Sequence, residues 1–311
     1  MTGGLSMNRR IFVKNLAAGS AGLMAGIAPL SGFAKSDMLT LTLLHTNDLH
    51  SQIEPFEDNH PRYAGRAGLA RVAGFAKACR EENPNLLLLD AGDFFQGTPY
   101  FNFFKGDIML KLMTEMGYDA GTIGNHEFDN GLQGLHDPLK HAGFPLINSN
   151  YDFSDTILDG KFPRYKVLRK SGLRIGIYGL GIELSGLVNE KQHGAVRYND
   201  PLPVALEMEK FLALEKKCDL VVCLSHLGLR YRDDKISDVT LAPELSYTDV
   251  IIGGHTHSFL EEPLLIRNKA GEMTIVNQAH YGGLMVGKLD FVFREGSRRG
   301  AGLKSSQQKE L

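Results

Sequence analysis

The chain has 311 residues, 43% of them hydrophobic and 23% charged, the make-up of a globular fold with room for one large domain or two small ones. Its formal net charge is -2, from 34 basic and 36 acidic side chains, so bulk electrostatics point neither to a nucleic-acid binder nor to a membrane-surface protein. Cys79, Cys218 and Cys223 form an odd set without C-x-x-C spacing and read as small buried hydrophobes.

Residues 1–34 read as a targeting segment. Asn8-Arg9-Arg10-Ile11-Phe12-Val13-Lys14 resembles the twin-arginine export motif. A weakly apolar, Gly- and Ala-rich run from Leu16 to Leu30 follows, and Gly32-Phe33-Ala34 offers small residues for a signal peptidase. The run is too short and too rich in glycine for a stable membrane span, and no cysteine near it suggests a lipid anchor. The expected location is therefore the periplasm, with no membrane attachment after cleavage. Losing Arg9, Arg10 and Lys14 and no acid would take the net charge from -2 to -5. An anionic substrate would then have to be attracted locally, by bound metal.

Leu39–His45 reads as a buried strand delivering Thr46-Asn47-Asp48-Leu49-His50, in which Asp48 and His50 point the same way if extended. Residues 51–64 are polar, with Pro55 and Pro61, and read as a rim loop; Gly65–Arg80 has helical spacing. Leu86-Leu87-Leu88-Leu89 is a strand of the kind covered on both faces, and it ends in Gly92-Asp93. Ile108–Met116 is an expected helix, Asp119–Ile123 a strand, Asn130–His141 a helix and Phe144–Asn148 a strand. Leu173–Leu180 is a further strand. Asp200 caps and Pro201 opens a helix expected to reach about Lys217. Leu220–Leu224 ends in Ser225-His226, and Asp249–Ile252 in Gly253-Gly254-His255-Thr256-His257. Met273–Asn277 and Val286–Phe293 are late strands. Alternating strands and helices give an α/β fold, with chemistry-bearing residues at strand ends, where open α/β sheets bind ligands. The expected domains are the leader 1–34, a body 35–295, and a polar tail 296–311 without structure.

Five segments offer matching metal ligands. Two divalent cations need a shared ligand, and a carboxylate has two oxygens to share. Asp93, in a glycine-flanked turn, is the bridging candidate. Asp48, His50 and one later histidine would complete one cation; Asn125, His226 and another histidine would complete the second, His255 and His257 being the two available. Imidazole, carboxylate and amide oxygen suit zinc, manganese, cobalt, iron or magnesium, without choosing among them. Such a pair lowers the pKa of a bridging water and neutralises phosphoryl charge. His126 is free to act as acid, and Asp129, three residues on, can fix its tautomer.

Leu44-His45-Thr46-Asn47-Asp48-Leu49-His50, Gly92-Asp93, Gln96-Gly97-Thr98-Pro99, Gly124-Asn125-His126-Glu127-Phe128-Asp129-Asn130-Gly131 and Gly254-His255-Thr256-His257 together resemble the metallophosphoesterase domain of the bacterial 5′-nucleotidase / UDP-sugar hydrolase family, over roughly residues 38–295. The resemblance implies a four-layer αββα sandwich. It implies one metal on Asp48, His50, Asp93 and His257, a second on Asp93, Asn125, His226 and His255, and a catalytic dyad of His126 and Asp129. The implied activity is 5′-nucleotidase-type phosphomonoester hydrolysis by a metal-bridging hydroxide, without a covalent phosphoenzyme. Other substrates for the same site are 2′,3′-cyclic nucleotides, UDP-sugars, sugar phosphates and thiosulfate-type esters. The family usually carries a second, nucleoside-binding domain where this chain ends. The rival reading is therefore a catalytic half-subunit that needs that domain as a separate polypeptide partner.

The remaining histidines have bland readings: His60, His136, His141, His193 and His280 as surface or capping residues, and His45 as a core residue. The resemblance places the His280 loop near the site. Gln96 reads as supporting a ligand. Phe101, Phe103 and Phe104 read equally as packing or as a partner contact.

Overall fold

The computed structural model describes residues 38–294 and 302–311, so the expected leader lies outside the described residues. The strands are β1 (Met38–Thr46), β2 (Leu86–Asp90), β3 (Ala120–Gly121), β4 (Tyr151–Asp152), β5 (Tyr165–Lys170), β6 (Leu173–Leu180), β7 (Arg197–Tyr198), β8 (Leu220–Ser225), β9 (Val250–Gly253), β10 (Leu264–Arg267), β11 (Met273–Gln278), β12 (Met285–Arg294) and β13 (Gly302–Glu310). One sheet has the order β13-β12-β1-β2-β3 and the other β10-β11-β9-β8-β6-β5; β4 and β7 form a small ladder. β1, β2 and β3 are parallel, as are β6, β8, β9 and β11.

Alternation along the strands builds the layers. Leu41, Leu43, Leu87 and Leu89 of the first sheet meet Ile175, Ile177, Val222, Leu224, Val250 and Ile252 of the second, forming the core between the sheets. The opposite face of the first sheet, with Leu44, Leu86 and Leu88, packs on Leu69, Val72 and Ala76 of the helix Leu69–Glu82 and on Met109, Leu110 and Met113 of the helix Asp107–Glu115. The outer face of the second sheet, with Tyr178, Val221, Cys223 and Ile251, packs on Ala205 and Met208 of the helix Pro201–Lys210. Each interface is one layer of apolar side chains, so the fold is a four-layer αββα sandwich.

Several elements differ from their sequence expectation. Asp119–Ile123 shortens to the two residues of β3, and Phe144–Asn148 keeps only an isolated bridge from Leu146 to Gly121. Thr122 still donates its main-chain N–H to Asp90 O at 3.1 Å, and Ile123 and Gly124 then lead to Asn125. The helix expected over 130–141 is helical at Gly131–His136 and tightens to a 3₁₀ turn at Asp137–His141, where Pro138 removes a donor. The helix after Pro201 widens into a π turn at Phe211–Glu215 before Lys217.

The expected tail 296–311 requires correction. Residues 302–310 form β13, antiparallel to β12 from Met285↔Glu310 to Val292↔Gly302. Ser305, Ser306 and Gln307 are exposed on this edge strand, so the segment has no hydrophobic period to betray it. Its end is fastened by main-chain bonds from Leu311 N to Leu284 O at 2.9 Å and from Ala67 N to Leu311 O at 3.0 Å. Cys79, Cys218 and Cys223 are all buried. Among the described residues, no helix is long and apolar enough to cross a membrane.

Candidate metal centre

The loops after β1, β2, β3, β8 and β9 leave their sheets at the carboxyl ends of parallel strands and converge on one pocket. All seven side chains singled out as ligands meet there. Asp48, His50 and His257 offer donor atoms within 4.8 Å of one another, and so do Asp93, His226 and His255. Asn125 joins the second set, its Oδ1 lying 2.8 Å from His255 Nδ1. Of the paired histidines in the last motif, His257 thus stands with Asp48 and His255 with Asp93. The sets touch through Asp48, whose carboxylate accepts from the His255 main-chain N–H and whose Oδ1 lies 3.9 Å from His226 Nε2.

The backbone here is strained. Asp48, His50, Asp93, His255 and His257 all have φ between 49° and 71°, the left-handed region that non-glycine residues seldom occupy. Main-chain bonds hold them there: Asp48 N to Gly92 O at 2.8 Å and His50 N to Asp93 O at 3.0 Å. At Gly124, a side chain would collide with Asp93 Oδ1 and the His226 ring. That close approach explains the glycine before Asn125.

The candidate ligand atoms lie at close range. His50 Nδ1 donates to Gln96 O at 2.6 Å, which leaves its Nε2 with a lone pair, 3.0 Å from His257 Nε2. Gln96 therefore supports the site through its carbonyl. His226 Nδ1 donates to Ala91 O at 2.7 Å, and its buried Nε2 has no hydrogen-bond partner although Asp93 Oδ2 is 2.8 Å away. Electron-pair donors gathered this closely fit a cation between them. Without one, a proton must take its place. Burial alone would lower the His226 pKa, but the Asp93 and Asp48 charges outweigh it and raise it to about 10. Burial would raise the Asp93 carboxyl, yet His226 holds it below the usual range. His255 is lowered to about 4, by burial and then by the His226 charge.

His126 sits beside this set, its ring 5.2 Å from that of His50. Its main-chain N–H donates to Asp93 Oδ1 at 2.8 Å and its Nδ1 donates to Asp129 Oδ2 at 2.6 Å. Burial lowers its pKa, but the Asp129 bond and the Asp93 charge overcome this and raise it to about 9.

Sequence reasoning gave no role to three buried residues that build the pocket. Glu127 accepts main-chain N–H bonds from Asp93, Phe94, Phe95 and Gly124, tying the loop after β2 to the loop after β3. Burial and the Asp93 charge push its carboxyl up to about 7, against those donors. Asn47 donates to Asp48 Oδ2 at 2.5 Å and to His280 O at 2.6 Å. Asp90 accepts from Thr46 Oγ1 and from Gly92 N. All three lie inside or next to the motifs, and polar residues there, flanked by fully apolar strands, were the available signal.

Of the other histidines, His60 accepts from Tyr63 N at 2.9 Å as a local cap, His141 lies 3.4 Å from Asp107 and His45 is fully buried. His280 is half-buried against Tyr63 and Tyr281. Phe101 is buried, while Phe103 and Phe104 are 80% and 53% exposed.

The family model for calcineurin-like phosphoesterases matches residues 41–259. A snake venom 5′-nucleotidase from Gloydius brevicauda is 32% identical over 294 residues, which cover 86% of this chain and 47% of that protein. The structure of a 5′-nucleotidase precursor from Thermus thermophilus superposes with a TM-score of 0.77 at 35% identity, covering 88% of this chain and 54% of that one. The NAD nucleotidase of Haemophilus influenzae gives 0.76 at 27% identity, over 88% and 51%. The chain spans about half the length of these relatives.

Proposed function

Given that this chain belongs to the calcineurin-like phosphoesterase family, we propose that it hydrolyses phosphate monoesters of the 5′-nucleotide type at a centre for two divalent cations. The observation that carries this reading is the convergence of ligand-type atoms: His226 Nε2 against Asp93 Oδ2 at 2.8 Å, and His50 Nε2 against His257 Nε2 at 3.0 Å. Asp48, His50 and His257 would hold one cation, Asn125, His226 and His255 the other, with Asp93 shared. Bound there, the cations would lower the pKa of a water and neutralise charge on the phosphoryl oxygens.

The protein's own groups do the rest. Asp129 accepts from His126 Nδ1 and so fixes the ring's tautomer and orientation, leaving Nε2 for the reacting group. From there Nε2–H donates to a phosphoryl oxygen or protonates the leaving oxygen. Glu127 holds the two loops that carry Asp93 and Asn125 at a fixed separation.

A second reading has its own support. Phe103 and Phe104 stand exposed beside the rim loop, where a partner polypeptide could cover them. The domain would then act as a catalytic half that meets a separate nucleoside-binding polypeptide. Export through the twin-arginine route, motivated by residues 8–14, would deliver it folded to the periplasm.

Elemental analysis of the purified protein, combined with a panel of p-nitrophenyl phosphate, AMP, 2′,3′-cyclic AMP, UDP-glucose, a sugar phosphate and a thiosulfate ester, tests the reading. Two equivalents of metal and preferred turnover of AMP are expected. Metal-independent activity, or turnover of the thiosulfate ester alone, refutes it. AMP turnover by the lone chain with a micromolar KM rules out the half-subunit.

A further inference from the structure

The loop that carries His255 and His257 is held by one side chain from a neighbouring strand. Gln278 ends β11, paired with Gly253 at the end of β9, and is fully buried. Its Nε2 donates to the main-chain oxygen of Gly254 at 2.5 Å. Its Oε1 accepts the main-chain N–H of Ser258 and, at 3.1 Å, the hydroxyl of Thr256. One amide thus bonds the residue before His255, the residue after His257 and the residue between them.

This arrangement answers a backbone problem. His255 and His257 have φ 71° and 49°, so the chain turns away from the ladder of β9 and its polar groups need other partners. The loop's own main chain supplies one bond, from Thr256 N to Gly254 O at 2.9 Å. The Asp48 carboxylate takes the His255 N–H, and Gln278 takes groups on either side. An amide offers a donor and an acceptor on one planar group, so it clasps a carbonyl and an N–H at once; a carboxylate or an alkyl chain does not.

Thr256 extends the clasp to the His226 loop. Its Oγ1 accepts Leu229 N at 3.0 Å, three residues beyond His226. That segment is fixed in turn: Asp238 N donates to Gly228 O at 2.9 Å, and Ser225 Oγ donates to the buried Asp238 Oδ1 at 2.5 Å.

We propose that Gln278 is a positioning residue for both cation sites. Through Gly254, Thr256 and Ser258 it holds His255 and His257 in their left-handed conformations, so that one imidazole is presented to each ligand set. The inference rests on the proposed two-cation reading. It requires that a single substitution away from the ligands weaken both binding steps, because His255 stands with Asp93 and His257 with Asp48. A buried glutamine that serves the fold alone would lower stability and leave the metal affinity of the folded protein unchanged.

Cobalt(II) binding to the full chain, followed by equilibrium dialysis and by the visible absorption of the bound ion, tests this. In Gln278→Leu both dissociation constants should rise about tenfold or more, with altered absorption bands. Thr256→Val, which removes the hydroxyl at nearly constant shape, should weaken both steps, and Thr256→Ser should restore them. Val276→Ala, two residues earlier in β11 and equally buried, should lower the urea midpoint without changing either constant. Unchanged constants in Gln278→Leu, or an equal loss in Val276→Ala, overturn the inference. If Gln278→Leu does not fold, the two Thr256 variants decide, and equal affinities in them overturn it. Absence of cobalt uptake by the wild type refutes the two-cation reading and the inference with it.

Discussion

Glu127 Oε2 accepts the main-chain N–H of Asp93 at 2.9 Å, and the same oxygen accepts the N–H of Gly124. One buried carboxylate thereby sets the distance between two ligand loops that follow different strands. Its other oxygen accepts from Phe94 and Phe95. In Glu127→Gln one oxygen becomes an NH₂ group that faces two buried N–H donors. The expected loss is about 2–4 kcal/mol of folding stability, read from urea denaturation. Metal stoichiometry should fall as well. An unchanged midpoint with full metal content would show that the tie is dispensable.

Asp93→Asn keeps the shape of the shared residue and removes its charge. The protein should remain folded, bind less than two equivalents of metal and lose about 10²-fold or more in activity. Retained stoichiometry and wild-type turnover would remove Asp93 from the ligand set.

His126→Ala separates acid from ligand. Activity should drop by about 10² or more while metal content, measured on the same sample, stays at the wild-type value. Loss of metal in this variant would make His126 a ligand. Asp129→Asn should give a smaller loss, since it disturbs the tautomer without removing the ring.

His45 gives a pH prediction away from the centre. It is fully buried, and Asn277 Nδ2 lies 2.8 Å from its Nε2. Burial lowers its pKa from 6.5 to about 3. The unfolded chain takes up this proton near pH 6.5 and the folded chain only near pH 3, so its stabilising contribution is full above pH 6.5 and is lost progressively as pH falls toward 3. The difference in unfolding free energy between wild type and His45→Gln should therefore change across this window and be flat above it. A difference that is flat throughout would mean the imidazole titrates alike in both states.

Opposite His45 in the sheet is Gly287 of β12, and a side chain there would run into the imidazole. Gly287→Ala should destabilise by about 1–3 kcal/mol through overpacking, measurable in the same denaturation experiment.

The ligand loops were legible because each follows a strand whose apolar run is unmistakable: Leu86-Leu87-Leu88-Leu89 before Asp93 and Leu220–Leu224 before His226. Hydrophobic period reports burial, and buried parallel strands announce where they end. It does not report hydrogen bonding. β13 went unread because Ser305, Ser306 and Gln307 gain pairing while staying exposed, and Phe144–Asn148 was over-read because it gains burial with a single bridge. Glu127 stood inside a recognised motif, but its partners are four main-chain groups, which have no sequence signature. The His280–Tyr281 loop joined the site through Asn47, a contact across 233 residues.

β1 lies between β2 and β12, and its register runs from Met38↔Arg294 to His45↔Gly287. On the ribosome, β1 must wait for β12, roughly 240 residues later, before it acquires both neighbours. Until then Leu41 and Leu43 cannot be fully covered. Assembly of the pocket therefore waits for β12, and a nascent chain stalled before about residue 285 should resist metal loading and be cut readily by protease near its first strand.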